Sequence, residues 1–398
     1  MPRSGTGSVT ALVRNPAADP ARPYGTAELA ILGGDRYARA RRVITGWPGY
    51  RPTPLHALPR LAAHLRIGRI HYKDESERFG LKSFKALGGA YAVSRLVAGL
   101  RDPAALTVTS ATDGNHGRSV AWGARQFGCR CVIFVHANVS AARVAAIEHY
   151  GAEVRRVPGN YDDSVRDAAR VASENGWTIV SDTSYRGYAD IPRDVMQGYA
   201  ILMEEALAQA GGVLPTHVFA QGGVGGFAAA LTAYLWEHYG ASRPSIIVVE
   251  PERADCLLRS ARAGAPQKVD GDLDTVMAGL ACGEPSLLAW EILKHGADFF
   301  MSIPDEVALN AMRRLADPEA PDVAIVGGES GVAGLAGLIC AATDETARGT
   351  LGLHAGSRVL VIGTEGDTDP DVYERVVGRS AASVLAGRSH PRSPVSPD

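Results

Sequence analysis

Lys85 ends the run Phe79-Gly80-Leu81-Lys82-Ser83-Phe84-Lys85, ahead of Thr112-Asp113-Gly114-Asn115-His116-Gly117 and Gln221-Gly222-Gly223-Val224-Gly225-Gly226. A lysine at a loop-to-helix junction offers an amine for a Schiff base. It precedes Ala86-Leu87-Gly88-Gly89-Ala90, an almost chargeless stretch that should desolvate the amine and lower its pKa. Glycine backbone lets N–H groups approach phosphate oxygens closely. A lysine, a Gly-Asn turn and a glycine cradle are the parts needed to hold an aldehyde cofactor carrying a phosphate. They point to pyridoxal 5′-phosphate.

Other polar residues gather around these three motifs. Asn115 either makes an Asx turn or bonds the cofactor's 3′-hydroxyl, and Asp113 either caps a helix or faces the substrate as acid or base. Asp182 follows an apolar strand at its carboxyl end, where α/β sites are built, and leads into the polar aromatic loop Thr183–Tyr188. Two carboxylates on neighbouring loop edges suggest a substrate with a cationic group beyond the usual α-amine. Thr364, after the last strand, could meet the pyridine nitrogen, and Glu329 could add an acidic group at the cofactor face. Either could equally be turn chemistry, and Lys82 reads as a solvated surface residue.

Short apolar runs that alternate with helix-length amphipathic segments must position these groups. Strands are expected at 105–110, 131–135, 153–157, 178–181, 217–220, 246–250 and 358–362. Helices are expected at 84–100, 116–127, 141–150, 161–175, 195–210, 226–239 and 305–316. This alternation implies an α/β fold of two lobes, each a mostly parallel twisted sheet covered by helices. The expected division is a small domain at 82–195 and a large cofactor-binding domain from 31–81 and 196–380. Residues 1–30 and 381–398 read as tails. Gly222, Gly223, Val224, Gly225 and Gly226 lie between a strand and a helix N-terminus, which suits a phosphate. The same stretch fits G-x-G-x-x-A, with Glu250 following a second strand, so a nicotinamide dinucleotide competes. That alternative gives Lys85 and the Asp113–His116 turn no work.

The 398 residues suffice for two lobes, and 41 basic against 43 acidic side chains argue against nucleic acid or an anionic membrane as partner. No run of about 18 apolar residues spans a membrane, and the polar N-terminus is unlike a signal peptide, so a cytoplasmic protein is expected. The five cysteines are scattered, and Cys129-Arg130-Cys131 has the wrong spacing for a zinc pair; no metal is expected. Cys256 and Cys282 flank a polar segment and could lie close, but a reducing compartment disfavours a disulfide there.

The chain resembles the diaminopropionate ammonia-lyases, members of the fold-type II (tryptophan synthase β-like) enzymes that use pyridoxal phosphate. The resemblance runs from about residue 40 to 378 and rests on Pro52-Thr53-Pro54-Leu55, Lys73-Asp74-Glu75-Ser76 and Phe84-Lys85 with Leu87–Tyr91. It continues through Thr112–Arg118, Met196-Gln197-Gly198-Tyr199, Thr275–Leu280 and Thr364–Pro370. It implies that Lys85, preceded by Phe84, is the Schiff-base lysine and the base for an L-substrate. It further implies that Asp113 takes the α-proton of a D-substrate and that Asp182 helps hold the substrate's amines. A small amino acid as substrate and a homodimer are expected with it. The chain departs from the family pattern at Lys82-Ser83 and at Gln221-Gly222, and other β-eliminations or β-replacements on serine, threonine or a biosynthetic amino acid, or a weakly catalytic binding protein, remain alternatives.

Overall fold

The computed structural model describes residues 8–112 and 114–387. Among them are eleven strands: β1 (Ala11–Arg14), β2 (Leu55–Ala57), β3 (Arg69–Asp74), β4 (Thr107–Ala111), β5 (Arg130–His136), β6 (Glu153–Val157), β7 (Thr178–Ile179), β8 (His217–Gln221), β9 (Ser245–Pro251), β10 (Phe299–Ile303) and β11 (Arg358–Gly363). They form a seven-stranded sheet in the order β1-β10-β9-β8-β11-β3-β2 and a four-stranded sheet in the order β6-β5-β4-β7. The smaller sheet is wholly parallel. The larger is parallel from β10 through β3, with antiparallel β1 and β2 at its two edges. The α/β architecture of two mostly parallel sheets is the one expected from the alternating pattern.

Helices cover the large sheet on both sides, and its strands show why. In β9 the inward residues alternate between two cores: Ile246 and Val248 join one apolar cluster, Ile247 and Val249 the other. A strand buried on both faces needs a continuous β-branched run, which Ile246-Ile247-Val248-Val249 supplies. The helix Gly226–Tyr239 packs on one side and Ala333–Thr343 on the other. The chargeless run after Lys85 becomes the helix Ala86–Val97, buried from Ala86 to Val93. It is wedged between the helices Asn115–Phe127 and Asp190–Tyr199. The approach is close enough that a methyl on Gly198 would meet the Leu87 carbonyl oxygen at 1.7 Å.

Several elements escaped the sequence pattern. Residues 8–30, expected as tail, contribute β1, which pairs with β10. The buried Asn15 amide donates to the Leu293, Lys294 and Ala297 carbonyls. Four residues are too few to show a period, so only pairing reveals the strand. The expected C-terminal tail begins instead with the helix Ala381–Ala386, anchored by buried Val384; the rest of that segment, from 388, lies outside the described residues. β3 was hidden by its charges, since Lys73 and Asp74 are both buried within it. The single helix expected at 195–210 is two, Asp190–Tyr199 and Ile201–Gln209. None of the five cysteines forms a disulfide. Among the described residues no helix is long and apolar enough to cross a membrane, and no cluster of His, Cys, Asp and Glu could hold a metal.

Candidate active site

The chemistry-bearing loops leave the carboxyl ends of parallel strands, where α/β sheets place ligands. β3 leads to Lys85, β4 to Asn115, β7 to Asp182, β8 to the glycine loop and β11 to Thr364. Lys85 stands immediately before its helix, and its Nζ lies 2.7 Å from Asp182 Oδ2. About a fifth of each side chain is accessible, 21% and 22% respectively. Burial by itself disfavours the Lys85 ammonium, but the Asp182 carboxylate, by charge and hydrogen bond, and Tyr199 outweigh it and raise the pKa. The expectation of a lowered lysine pKa is therefore corrected: the chargeless neighbours along the chain are real, but a carboxylate 97 residues away controls the charge. Burial likewise opposes ionisation of Asp182, and the Lys85 charge and hydrogen bond hold its carboxyl well below the usual range.

The fold brings His116, at the start of the helix Asn115–Phe127, to this pair. Its Nε2 donates to the Val180 carbonyl at 2.9 Å, its Nδ1 lies 3.9 Å from Asp182 Oδ2, and burial keeps the ring neutral. The Tyr188 hydroxyl donates to the Ile179 carbonyl at 2.8 Å and accepts from the Ser181 amide at 3.0 Å, fixing the backbone just before Asp182. The Phe84 ring clusters with those of Tyr199 and Phe227, tilted and edge-on, with centroids 4.6 and 4.7 Å away. Phe227 is the second residue of the glycine-loop helix, so this cluster ties the lysine to the loop.

Within the loop, Gly223 and Gly225 have φ of 63° and 93°. A side chain at Gly225 would be strained and would press on Leu257, Ala289 and Leu293 at 3.1–3.2 Å. The Gly226 Cα faces the Asp182 carbonyl, 3.6 Å from where a methyl would sit. The turn and the start of its helix thus lie beside the Lys85–Asp182 pair, and such a terminus favours phosphate. The dinucleotide alternative fails at its acid. Glu250 is buried, with its carboxyl pushed up to about 8 by that burial, and its two oxygens accept from the Leu257 and Leu258 amides at 2.9 and 2.8 Å. It caps a helix and has no free oxygen for a ribose.

Across from the glycine loop, Asn115 Nδ2 donates to Glu365, and its Oδ1 accepts from Arg118 at 2.7 Å. The Thr364 carbonyl accepts from the Phe84 amide at 3.0 Å, which brings Thr364 beside the lysine loop. Glu329 is buried and pairs with Arg143 at 2.9 Å; burial, then the Glu365 charge, raises its pKa. Val224 sits mid-loop, its carbonyl accepting from the Ser286 amide at 2.9 Å. Lys82, read as a surface residue, is 42% exposed and pairs with Asp367 at 2.7 Å. Asp113 lies outside the described residues. Tyr199, Glu365 and Arg143 were not named as site residues from sequence; Tyr199 and Glu365 sit in motifs that carry the resemblance, whereas Arg143 in an ordinary amphipathic helix gave no signal.

An amine, a glycine turn too tight for a Cβ and a paired carboxylate fit pyridoxal phosphate. Comparison with known proteins agrees. The family model described as pyridoxal-phosphate dependent enzyme matches residues 46–365. The chain is 42% identical over 392 residues to diaminopropionate ammonia-lyase of Salmonella typhimurium, covering 90% of this chain and 97% of that one. Identity to the Escherichia coli K12 enzyme of that description is 45% over 350 residues, 83% of this chain and 88% of the relative. A crystal structure of Escherichia coli diaminopropionate ammonia lyase, in complex with an aminoacrylate-PLP azomethine reaction intermediate, superposes with a TM-score of 0.86 at 40% identity, covering 93% of this chain and 97% of that one. With the lysine, the glycine cradle and the matched span agreeing, the chain belongs to the fold-type II pyridoxal-phosphate-dependent enzymes, on the branch that holds the diaminopropionate ammonia-lyases.

Proposed function

We propose that this protein eliminates ammonia from 2,3-diaminopropionate, giving pyruvate and a second ammonia. The observation that carries the reading is the Lys85–Asp182 pair beside the glycine loop. Bound there, the cofactor supplies an electron sink for the charge that develops at Cα. Lys85 would hold it through the amine, the turn from Gly223 to Gly226 through amides to the phosphate (the Gly222 amide already donates to the Val249 carbonyl at 2.8 Å), and Asn115 and Thr364 through the ring's polar atoms. Phe84 packs under the lysine and excludes water from that side. Asp182, which faces an ammonium at 2.7 Å, can receive the substrate's β-ammonium in the same place once Lys85 is engaged elsewhere. One cation replaces another, so the carboxylate stays ionised throughout. Lys85 is the proposed base at Cα of the L-isomer, Asp113 that of the D-isomer, and Glu329 an acidic group at the cofactor face. The reading extends to two domains divided near 82 and 195, and to a homodimer in the cytoplasm.

The test uses purified protein loaded with pyridoxal phosphate and offered diaminopropionate, serine and threonine. Pyruvate from diaminopropionate, faster than pyruvate from serine or 2-oxobutyrate from threonine, is the expected result. Faster turnover of serine or threonine would shift the reading to a dehydratase, and no turnover of any would leave a binding protein. Lys85→Ala should lose the visible absorption of the loaded protein and the adduct trapped by borohydride; an unchanged band refutes the lysine assignment.

A further inference from the structure

The loop that delivers Lys85 rises from a buried ion cluster at the carboxyl end of β3. Glu205, on the helix Ile201–Gln209, accepts from Lys73 Nζ at 2.7 Å, from both terminal nitrogens of Arg78 at 2.9 and 2.8 Å, and from the Tyr50 hydroxyl at 2.9 Å. Glu75 accepts from Arg78 Nε and a terminal nitrogen, each at 2.8 Å, and from the Thr53 hydroxyl at 2.5 Å. Lys73 and Glu75 are 0% exposed and Arg78 1%. Two cations and two carboxylates therefore cancel within the interior. A buried cluster of this sort stabilises little more than an apolar replacement of the same shape, because desolvation offsets attraction. What it does supply is direction, since the planar fork of Arg78 is held by two carboxylates at once.

Arg78 opens a turn of unfavourable backbone. Phe79, Gly80 and Lys82 have φ of 52°, 72° and 56°, and only one of the three is glycine. Left-handed residues with side chains persist where their surroundings over-determine them. Here the Phe79 ring stacks on Trp122 of the helix Asn115–Phe127, with centroids 5.0 Å apart. At the far end Lys82 pairs with Asp367 at 2.7 Å, and its carbonyl accepts from the Gly366 amide at 2.9 Å. Lys85 follows three residues later.

We propose that Arg78, gripped by Glu75 and Glu205, is a positioning residue that pins the strained 79–82 turn and thereby aims the Lys85 amine at Asp182 and the glycine loop. The inference rests on the reading that Lys85 holds the cofactor, and borohydride trapping on Lys85 in the unaltered protein tests that reading separately. If trapping fails there, the reading fails; if it succeeds, the variants judge the inference alone.

Arg78→Lys keeps the charge and removes the fork. Cofactor-free Arg78→Lys should capture pyridoxal phosphate at least about tenfold more slowly, followed by visible absorbance, because aim and not charge has been lost. Chymotryptic cleavage after Phe79 should quicken, and kcat should fall with KM little changed. A lower unfolding temperature accompanied by unaltered capture and cleavage rates would make the cluster merely structural and overturn the proposal. Should Arg78→Lys not fold, Lys82→Met releases the accessible end of the same turn. Slower capture there supports the proposal, and an unaltered rate overturns it.

Discussion

Replacing Asp182 by Asn removes the charge that faces Lys85 and leaves the shape nearly intact. At 2.7 Å and an effective dielectric of about 20, two unit charges attract by about 6 kcal/mol, an upper bound. With about a fifth of each side chain open to water (21% and 22%), we take roughly a third of that, about 2 kcal/mol, to survive screening. At about 1.4 kcal/mol per tenfold change, the neutral fraction of the Lys85 amine should rise about 30-fold at mildly alkaline pH. Competitive labelling of the cofactor-free protein with an amine reagent, read at Lys85 by mass spectrometry, measures that fraction. Turnover of diaminopropionate should fall about 100-fold in the same variant, because the carboxylate proposed to hold the β-ammonium is gone. The two readouts thus move in opposite directions. The pH dependence follows with a definite sign. The raised Lys85 pKa gives stability that is full below the ordinary lysine range and lost as pH climbs through the folded value. The depressed Asp182 pKa gives stability that is full above the ordinary aspartate range and lost as pH falls through the folded value. Unaltered protein should therefore show a plateau between those ranges that Asp182→Asn lacks. Unchanged or slower labelling of Lys85 in the variant would refute the electrostatic reasoning, whatever happens to turnover.

Gly225→Ala places a methyl 3.1–3.2 Å from Leu257, Ala289 and Leu293 at a φ of 93°. It should cost about 1–3 kcal/mol of folding stability and weaken cofactor affinity at least tenfold, measured by denaturant unfolding and cofactor titration; wild-type affinity would show that the loop does not carry the phosphate. Tyr188→Phe strands the Ile179 carbonyl and the Ser181 amide, so stability should drop by about 1–3 kcal/mol and kcat several-fold as Asp182 loosens. A stability loss with kcat intact would limit Tyr188 to scaffolding. Asp113→Asn should harm turnover of the D-isomer more than of the L-isomer, and equal losses would remove its assigned role.

The residues differ in how far local pattern reveals them. Gln221–Gly226 was legible because a strand, a glycine turn and a helix are adjacent in the chain, and their geometry follows from local backbone preferences. Lys85 stood out as a candidate because its motif and chargeless helix are contiguous. Its ionisation was not legible, since the carboxylate that decides it lies on a loop 97 residues away and Coulomb attraction follows distance in space. Lys73 made β3 look like a polar segment; Glu205, the residue that allows the charge inside, comes from a helix more than a hundred residues later. β1 is too short to declare itself and exists as a strand only because β10 offers an edge.

Backbone preference and apolar periodicity, which act between neighbours, therefore determined the strand–helix alternation, the glycine turn and the buried helix that follows Lys85. Chain closure alone decided which carboxylates meet which cations, which edge the N-terminal strand covers and how the strained turn before Lys85 is held. Those outcomes depend on groups far apart in sequence arriving within about 3 Å of each other, at distances where charge and hydrogen bonding become strong.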